Sequence, residues 1–221
     1  MTAELVLAIP RDELTKQYVG INGIYDFDLD LVGPDSYAFI ARNVADNKSL
    51  HSVMFGMLLP QVLPYFIVTD SEGNLLTYER KGQEKGLVGK RSIGIGGHVS
   101  MDDAYLPQTP DVVALGLPAK FETLQQIVQS GLYREVFEEI GIRLLDTVKF
   151  DYIISSHVDP VNQVHIALVA KIEVDNFDEL KYDSNEFLNV QYWKPEEIKA
   201  SAGFDNYENW SKLIINKILD K

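Results

Sequence analysis

The chain has 221 residues, of which 46% are hydrophobic, and its 33 acidic and 20 basic residues give a formal charge of -13. This length fits one globular domain, or a domain with an elaboration, and the acidic excess argues against a nucleic acid polymer as partner. The absence of cysteine excludes disulfides and thiolate sites. Because we find no leader and no apolar run of about 20 residues, we expect a cytoplasmic protein that does not bind membranes.

Residues 1–60 carry mixed local signals. The sequence predicts a strand for ELVLAI, a short helix after Pro10, a loop rich in glycine and aspartate, and an apolar helix around LHSVMFGMLL. We interpret this region as an N-terminal extension that serves packing or dimerisation, which favours a homodimer. Residues 61–221 form the second predicted unit.

A β-rich core is predicted from Pro64 onward. PYFIVTD and LLTYERK are strand-like runs joined by the turn residues SEGN, a pattern typical of a hairpin. Glycines at 94, 96 and 97 follow, and they allow another group to approach the backbone closely. A polar insertion over residues 104–121 comes next, and we expect it to act in specificity or dimerisation.

A long helix is predicted from about Glu122 to Ile140, with Gly131 as a candidate break and Gly141 as its terminator. The apolar side chains expected to face the core are Val136, Phe137 and Ile140. Further strands are predicted for VKFDYIISSHV, VHIALVAKIEV and FLNVQYWK, and a closing amphipathic helix for NYENWSKLIINKILDK. Strands interleaved with helices on two faces indicate a three-layer sandwich.

Three carboxylates in the long helix are the strongest chemical signal. Glu135, Glu138 and Glu139 stand at i, i+3 and i+4, which places them on one side of the helix. Their charges repel one another and oppose the helix dipole, which costs a few tenths to ~1 kcal/mol each unless a cation compensates. Mg²⁺ or Mn²⁺ is the obvious cation, since both take oxygen ligands. A solvated acidic face is the alternative interpretation of this pattern alone.

The sequence around these carboxylates resembles a known family. REVFEEIGI at residues 134–142 matches the second half of GX5EX7REUXEEXGU, the signature of the Nudix hydrolases, in which U is a bulky aliphatic residue. The first half of the signature is partly present, because GGHV at residues 96–99 stands where family members carry a similar loop. The resemblance extends over about residues 64–193.

The chain departs from the signature at the family's first glutamate. Counting forward from Gly97 reaches Asp103, which is separated from Arg134 by 30 residues instead of seven. Counting back from Arg134 reaches Gln126. An insertion inside the motif is therefore expected, and either Asp103 or Gln126 replaces the glutamate.

The resemblance implies a Nudix-type α/β/α sandwich with a mixed sheet, in which residues 61–221 are the catalytic domain. It implies a hydrolase that uses Mg²⁺ or Mn²⁺ to cleave a diphosphate bond in a small phosphorylated metabolite or nucleotide. Glu135, Glu138 and Glu139 would then ligate the metal, while Arg134 would pair with a helix carboxylate and orient it.

The general base is expected by the same resemblance to be a glutamate in the loop before the late strand. Glu186 is the nearest candidate, and Glu138 or Glu139 is the alternative. Another interpretation of Glu186 is a surface glutamate at the start of a strand.

Substrate phosphates are expected to meet the basic residues that precede the glycine loop. These residues are Arg80, Lys81, Lys85, Lys90 and Arg91. A basic cluster in an acidic protein favours phosphate binding, although ordinary surface charge on a hairpin is an equal alternative. We expect Gly96, Gly97 and His98 to contribute to the same binding loop. His157 and His165 lack the spacing of metal ligands and are interpreted as structural.

Two other functions compete with hydrolysis. The altered first half of the signature and the unexplained N-terminal residues favour a sensor that binds a phosphorylated metabolite without cleaving it. An isomerase of isoprenoid diphosphates on the same fold is disfavoured, because the members of that group resemble thiol-dependent enzymes and this chain has no cysteine.

Overall fold

The computed structural model describes residues 4–81, 86–106 and 120–220. The strands are β1 Leu5–Ala8, β2 Gly23–Tyr25, β3 Ala38–Ala41, β4 Gln61–Asp70, β5 Leu75–Arg80, β6 Arg91–Ser92, β7 Gly94–Gly96, β8 Phe150–Ser155, β9 His165–Val174 and β10 Phe187–Trp193. The α-helices are α1 Arg11–Lys16, α2 Arg42–Ala45, α3 Lys48–Phe55, α4 Leu124–Ile140, α5 Pro195–Ala200 and α6 Asn209–Leu219. None of the helices within the described residues combines the length and apolar character needed to cross a lipid bilayer.

The strands form one mixed sheet in the order β10-β5-β4-β9-β8-β2. Strands β4 and β9 lie side by side in parallel, from the pair Gln61 and His165 to the pair Asp70 and Val174. The other neighbours along this path are antiparallel, including the predicted hairpin of β4 and β5. Two short strands flank the centre, because β6 pairs with β5 and β7 pairs with β4.

Helices cover both faces of the sheet. Because side chains alternate along a strand, Phe66 of β4 packs on the face covered by α4, whereas Tyr65 packs on the opposite face against Trp210 of α6. The two hydrophobic clusters lie on opposite sides of the same strands. The predicted α/β/α sandwich with a mixed sheet is therefore confirmed.

Strands from the first 60 residues join this sheet. Strand β1 pairs with β3 over four residue pairs and touches β4 through Ala8 and Gln61, while β2 pairs with β8. Residues 4–60 therefore extend the sheet of the rest of the chain. The functional division of the chain at residue 60 stays a prediction.

Helix α4 begins and ends where the sequence indicates. Thr123 caps its first turn by accepting a hydrogen bond from the backbone N–H of Gln126, and Gly141 ends it with a φ of 74°. The helix is continuous through Gly131, so the predicted break there is wrong. The prediction for Phe137 is also wrong, because its ring is 46% exposed and lies under the Arg143 guanidinium instead of in the core.

Candidate active site

Arg134 and Asp103 tie helix α4 to the segment that follows the glycine loop. The Arg134 guanidinium donates Nε to Asp103 Oδ1 and Nη2 to Asp103 Oδ2, both at 2.9 Å. Nη2 also donates to the backbone carbonyl of His98 at 2.8 Å. Asp103 is 5% exposed, and its Oδ2 accepts a further bond from the backbone N–H of Ser100 at 2.8 Å. These bonds raise the pKa of Arg134 well above its ordinary value, which keeps the guanidinium charged.

This contact bears on the two candidates for the missing glutamate. Asp103 holds Arg134 directly, whereas the side chain of Gln126 accepts backbone hydrogen bonds from Glu122 and Thr123 at the start of α4. Gln126 lies two turns of helix before Arg134, a separation of about 12 Å. Asp103 is therefore the residue placed beside the acidic part of the helix.

Glu135 lies directly against the glycine loop. A Cβ atom added to Gly97 would come within 2.1 Å of the Glu135 carboxyl carbon, so only glycine leaves room for this carboxylate. Glu135 Oε1 accepts a bond of 2.7 Å from Arg134 Nη1. Burial nevertheless raises the pKa of Glu135, and the nearby Arg134 charge offsets only part of that effect.

Glu139 lies one turn further along the helix and is less well compensated. Its Oε2 atom is buried and has no hydrogen-bond partner among the described residues. Burial, followed by the charges of Glu135, Glu186 and Asp183, raises the pKa of Glu139 to about 7, whereas Arg80 acts in the opposite direction. Burial and the neighbouring negative charges therefore outweigh the positive charge of Arg80 at this carboxylate.

Glu138 differs from its two neighbours. Its side chain is 56% exposed, and its Oε2 accepts a bond of 3.1 Å from Arg134 Nη1. Among the described residues, Glu135 and Glu139 line the neighbouring cleft, whereas Glu138 does not. Its predicted roles as metal ligand and catalytic residue stay predictions.

A cleft of about 530 Å³ lies beside these carboxylates. The sequence-predicted residues that line it are Arg80, Gly96, Gly97, His98, Arg134, Glu135, Glu139 and Glu186. Lys90 and Arg91 are not among its described lining residues, and Arg91 donates instead to Thr77 Oγ1 at 2.6 Å. Lys85 and most of the predicted insertion lie outside the described residues.

Two further groups of contacts in the cleft were not predicted, although His98 itself was expected in the binding loop and His165 was interpreted as structural. His98 and His165 face each other with 3.2 Å between their Nε2 atoms, and burial lowers the pKa of His98 to about 3. Glu208 is 6% exposed and accepts bonds from the hydroxyls of Tyr65 and Ser92. Neither group forms a local motif, because its members come from distant parts of the chain.

The mixed sheet, the helix on each face and an acidic helix whose carboxylate rests on a glycine loop together define the Nudix fold. The crystal structure of Tm1382, a candidate Nudix hydrolase, matches this chain with a TM-score of 0.69 at 21% identity, over 98% of each chain. The protein has the Nudix fold, and at this identity the likeness establishes the fold alone.

Looser matches include DR0079 from Deinococcus radiodurans, with a TM-score of 0.48 and 11% identity over 88% of this chain and 98% of that one. Another match is the structure of a bifunctional NMN adenylyltransferase/ADP ribose pyrophosphatase from Francisella tularensis, complexed with AMP and a Mn ion. Its TM-score is 0.48 at 17% identity, over 81% of this chain and 46% of that one. No model of a protein family matches the sequence, and no curated protein does.

Proposed function

We propose that the protein is a Nudix-type hydrolase that uses Mg²⁺ or Mn²⁺ to cleave a diphosphate bond in a small molecule, such as a nucleoside diphosphate joined to another group. The observation that carries this proposal is the buried Glu139 Oε2 atom, which has no hydrogen-bond partner among the described residues. A buried carboxylate oxygen without a partner is costly, and a bound cation removes that cost.

The residues at the site fit a hard divalent cation. Glu135 and Glu139 both line the cleft, and both offer carboxylate oxygens, the ligand type that Mg²⁺ and Mn²⁺ prefer. In the proposal these two residues hold the ion, and Glu138 remains a candidate third ligand. The bound cation would lower the pKa of a water molecule and neutralise charge on the phosphate oxygens.

The protein's own residues position the reactants. Arg134 does so indirectly, because its bonds to Asp103 and to the His98 carbonyl fix α4 against the glycine loop. Arg80 lines the cleft and can donate hydrogen bonds to substrate phosphates. Glu186 lines the cleft near Glu139 and is the proposed general base that takes a proton from the attacking water.

The proposal is tested by turnover. Purified protein is incubated with Mg²⁺ or Mn²⁺ and a panel of dinucleotides, nucleotide sugars and nucleoside triphosphates, and released phosphate is measured with and without a phosphatase that cleaves monoester products. We expect turnover of at least one substrate that stops in chelator. Glu139→Gln should lower kcat by about 100-fold or more, since a metal's charge stabilisation is worth several kcal/mol.

Glu179→Gln is the matched control, because Glu179 is an exposed glutamate outside the described lining of the cleft. It should retain the rate of the unmodified protein. Turnover that is equal in Glu139→Gln and in the control would contradict the proposal. Metal-dependent binding of a substrate without any cleavage would favour the sensor instead.

The cytoplasmic location and the homodimer stay predictions.

A further inference from the structure

Three side chains from distant parts of the chain converge beside the cleft. Asp46 follows α2, His98 follows β7, and His165 begins β9. One ligand atom from each, a carboxylate oxygen and two imidazole nitrogens, lies within 4.8 Å of the others. This group is separate from the carboxylates of α4, and its two nitrogen donors differ chemically from the all-oxygen set there.

The spacing of the two imidazoles suits one shared ion. Their Nε2 atoms are 3.2 Å apart and their ring centroids 5.3 Å apart. Two nitrogens bound to one tetrahedral Zn²⁺ at 2.0–2.1 Å stand about 3.3 Å from each other. A hydrogen bond between the two rings would have a similar length. The choice between a hydrogen bond and a shared ion therefore depends on Asp46 and on the hydrogen bonds that Asp46 and His165 make with other residues.

Hydrogen bonds to neighbouring residues hold His165 and Asp46 in the way that such bonds usually hold metal ligands in proteins. His165 Nδ1 lies 2.7 Å from the Val161 carbonyl, so Nδ1 carries the proton and donates it, and the lone pair is on Nε2. Asp46 Oδ1 accepts a bond of 2.9 Å from Gln61 Nε2. Gln61 is fully buried and lies opposite His165 in the parallel pairing of β4 and β9. Both potential ligands are thus held by buried or backbone partners.

We propose that Asp46, His98 and His165 bind a divalent transition-metal ion, with Zn²⁺ as the best fit, at a site distinct from the carboxylates of α4. Two imidazoles and one carboxylate favour Zn²⁺ or a similar ion over Mg²⁺. The ligand atoms now lie up to 4.8 Å apart, and in the proposal the exposed Asp46 side chain turns toward the two imidazoles so that all three reach one ion. His98 and His165 line the same cleft as Glu135 and Glu139, so an ion held by the two imidazoles would be reached from that cleft.

The site would also give residues 4–60 a chemical role. Asp46 is supplied by that region, whereas His98 belongs to the glycine loop and His165 to the central sheet. An ion held by all three would therefore link the N-terminal strands and helices to the floor of the cleft.

The test measures metal binding by the full chain and does not depend on hydrolysis. Protein is titrated with Zn²⁺ against a chromophoric chelator in an excess of Mg²⁺, which occupies oxygen-only sites, and Co²⁺ is used in parallel for its visible absorption. We expect one Zn²⁺ per chain and Co²⁺ bands typical of nitrogen ligands. His98→Ala and His165→Ala should each weaken binding by more than about 100-fold, since losing even an orienting neighbour costs 10- to 100-fold.

Two further variants make the result decisive. His157→Ala removes a histidine outside this group and should bind Zn²⁺ as the unmodified protein does. Asp46→Asn changes an exposed side chain, so it should fold normally and lose at least about 10-fold in affinity. The proposal is overturned if the unmodified protein binds no Zn²⁺ under these conditions. It is equally overturned if Asp46→Asn or a folded His98→Ala protein binds as tightly as the unmodified chain.

Discussion

Replacing Glu139 by glutamine should stabilise the metal-free protein at alkaline pH, although it removes a proposed metal ligand. The cause is the raised pKa of Glu139, which burial and the neighbouring Glu135 shift from 4.5 to about 7. The folded state then binds the Glu139 proton more tightly than the unfolded state does. Stability of the metal-free protein therefore falls as the pH rises from about 4.5 through 7, and the whole penalty is present above that range.

The size of the effect follows from the shift. At about 1.4 kcal/mol per pKa unit the penalty is about 3 kcal/mol, and partial exposure of the side chain reduces it to about 2 kcal/mol. Glu139→Gln cannot ionise, so it avoids this penalty. For a chain of this length, 2 kcal/mol corresponds to about 4 to 8 °C in Tm.

Urea unfolding in chelator, near pH 5 and near pH 8, measures the effect for the unmodified protein, Glu139→Gln and the exposed control Glu179→Gln. The advantage of Glu139→Gln should be largest near pH 8 and should shrink toward pH 5. Addition of Mg²⁺ near pH 8 should then stabilise the unmodified protein and the control more than Glu139→Gln. Equal stability of all three proteins near pH 8 in chelator would refute the reasoning.

Two further predictions concern the contacts around Glu135. Gly97→Ala should lower kcat by about 100-fold and reduce stability by less than about 1 kcal/mol, because the atoms nearest to the added Cβ are at the flexible end of Glu135. Kinetics and thermal unfolding on one preparation separate the two effects. An unchanged kcat would contradict this prediction. Arg134→Lys should cost about 1 to 3 kcal/mol, since lysine cannot donate two parallel bonds to the buried Asp103. Urea unfolding checks this value, and a loss below about 0.5 kcal/mol would show that the paired geometry contributes little.

The acidic helix could be predicted because its signals are local. Gly141 ends the helix as predicted, and the cap formed by Thr123 and Gln126, which was not among the predicted signals, is equally local because the two residues are three positions apart. The exposure of Phe137 could not be predicted this way, because it lies at the edge of the apolar face, between the buried Val136 and the exposed Glu138, and only the partner surface decides whether such a position is covered. Its ring turns outward beneath Arg143.

Long-range contacts account for what the sequence did not indicate. Asp46, His98 and His165 are separated by at least 50 positions, and only the parallel pairing of β4 and β9 brings the last of them beside the glycine loop. The same holds for β1 and β3, whose place in the sheet depends on a partner strand far along the chain. Spacing rules for metal ligands apply within one element and therefore miss such groups.

The pair of Asp103 and Arg134 explains how the motif tolerates its insertion. Lengthening a flexible loop costs only about 0.6 kcal/mol of closure entropy for each doubling of its length, because that cost grows with the logarithm of length. The bidentate contact across the insertion, together with the bridge between Tyr105 and Lys120 at its base, offsets a cost of that size. Because Asp103 precedes the insertion and Arg134 follows it, their contact joins the glycine-loop side of the motif to the helical turn that carries Glu135, so the two parts of the motif meet in space although they are far apart in sequence.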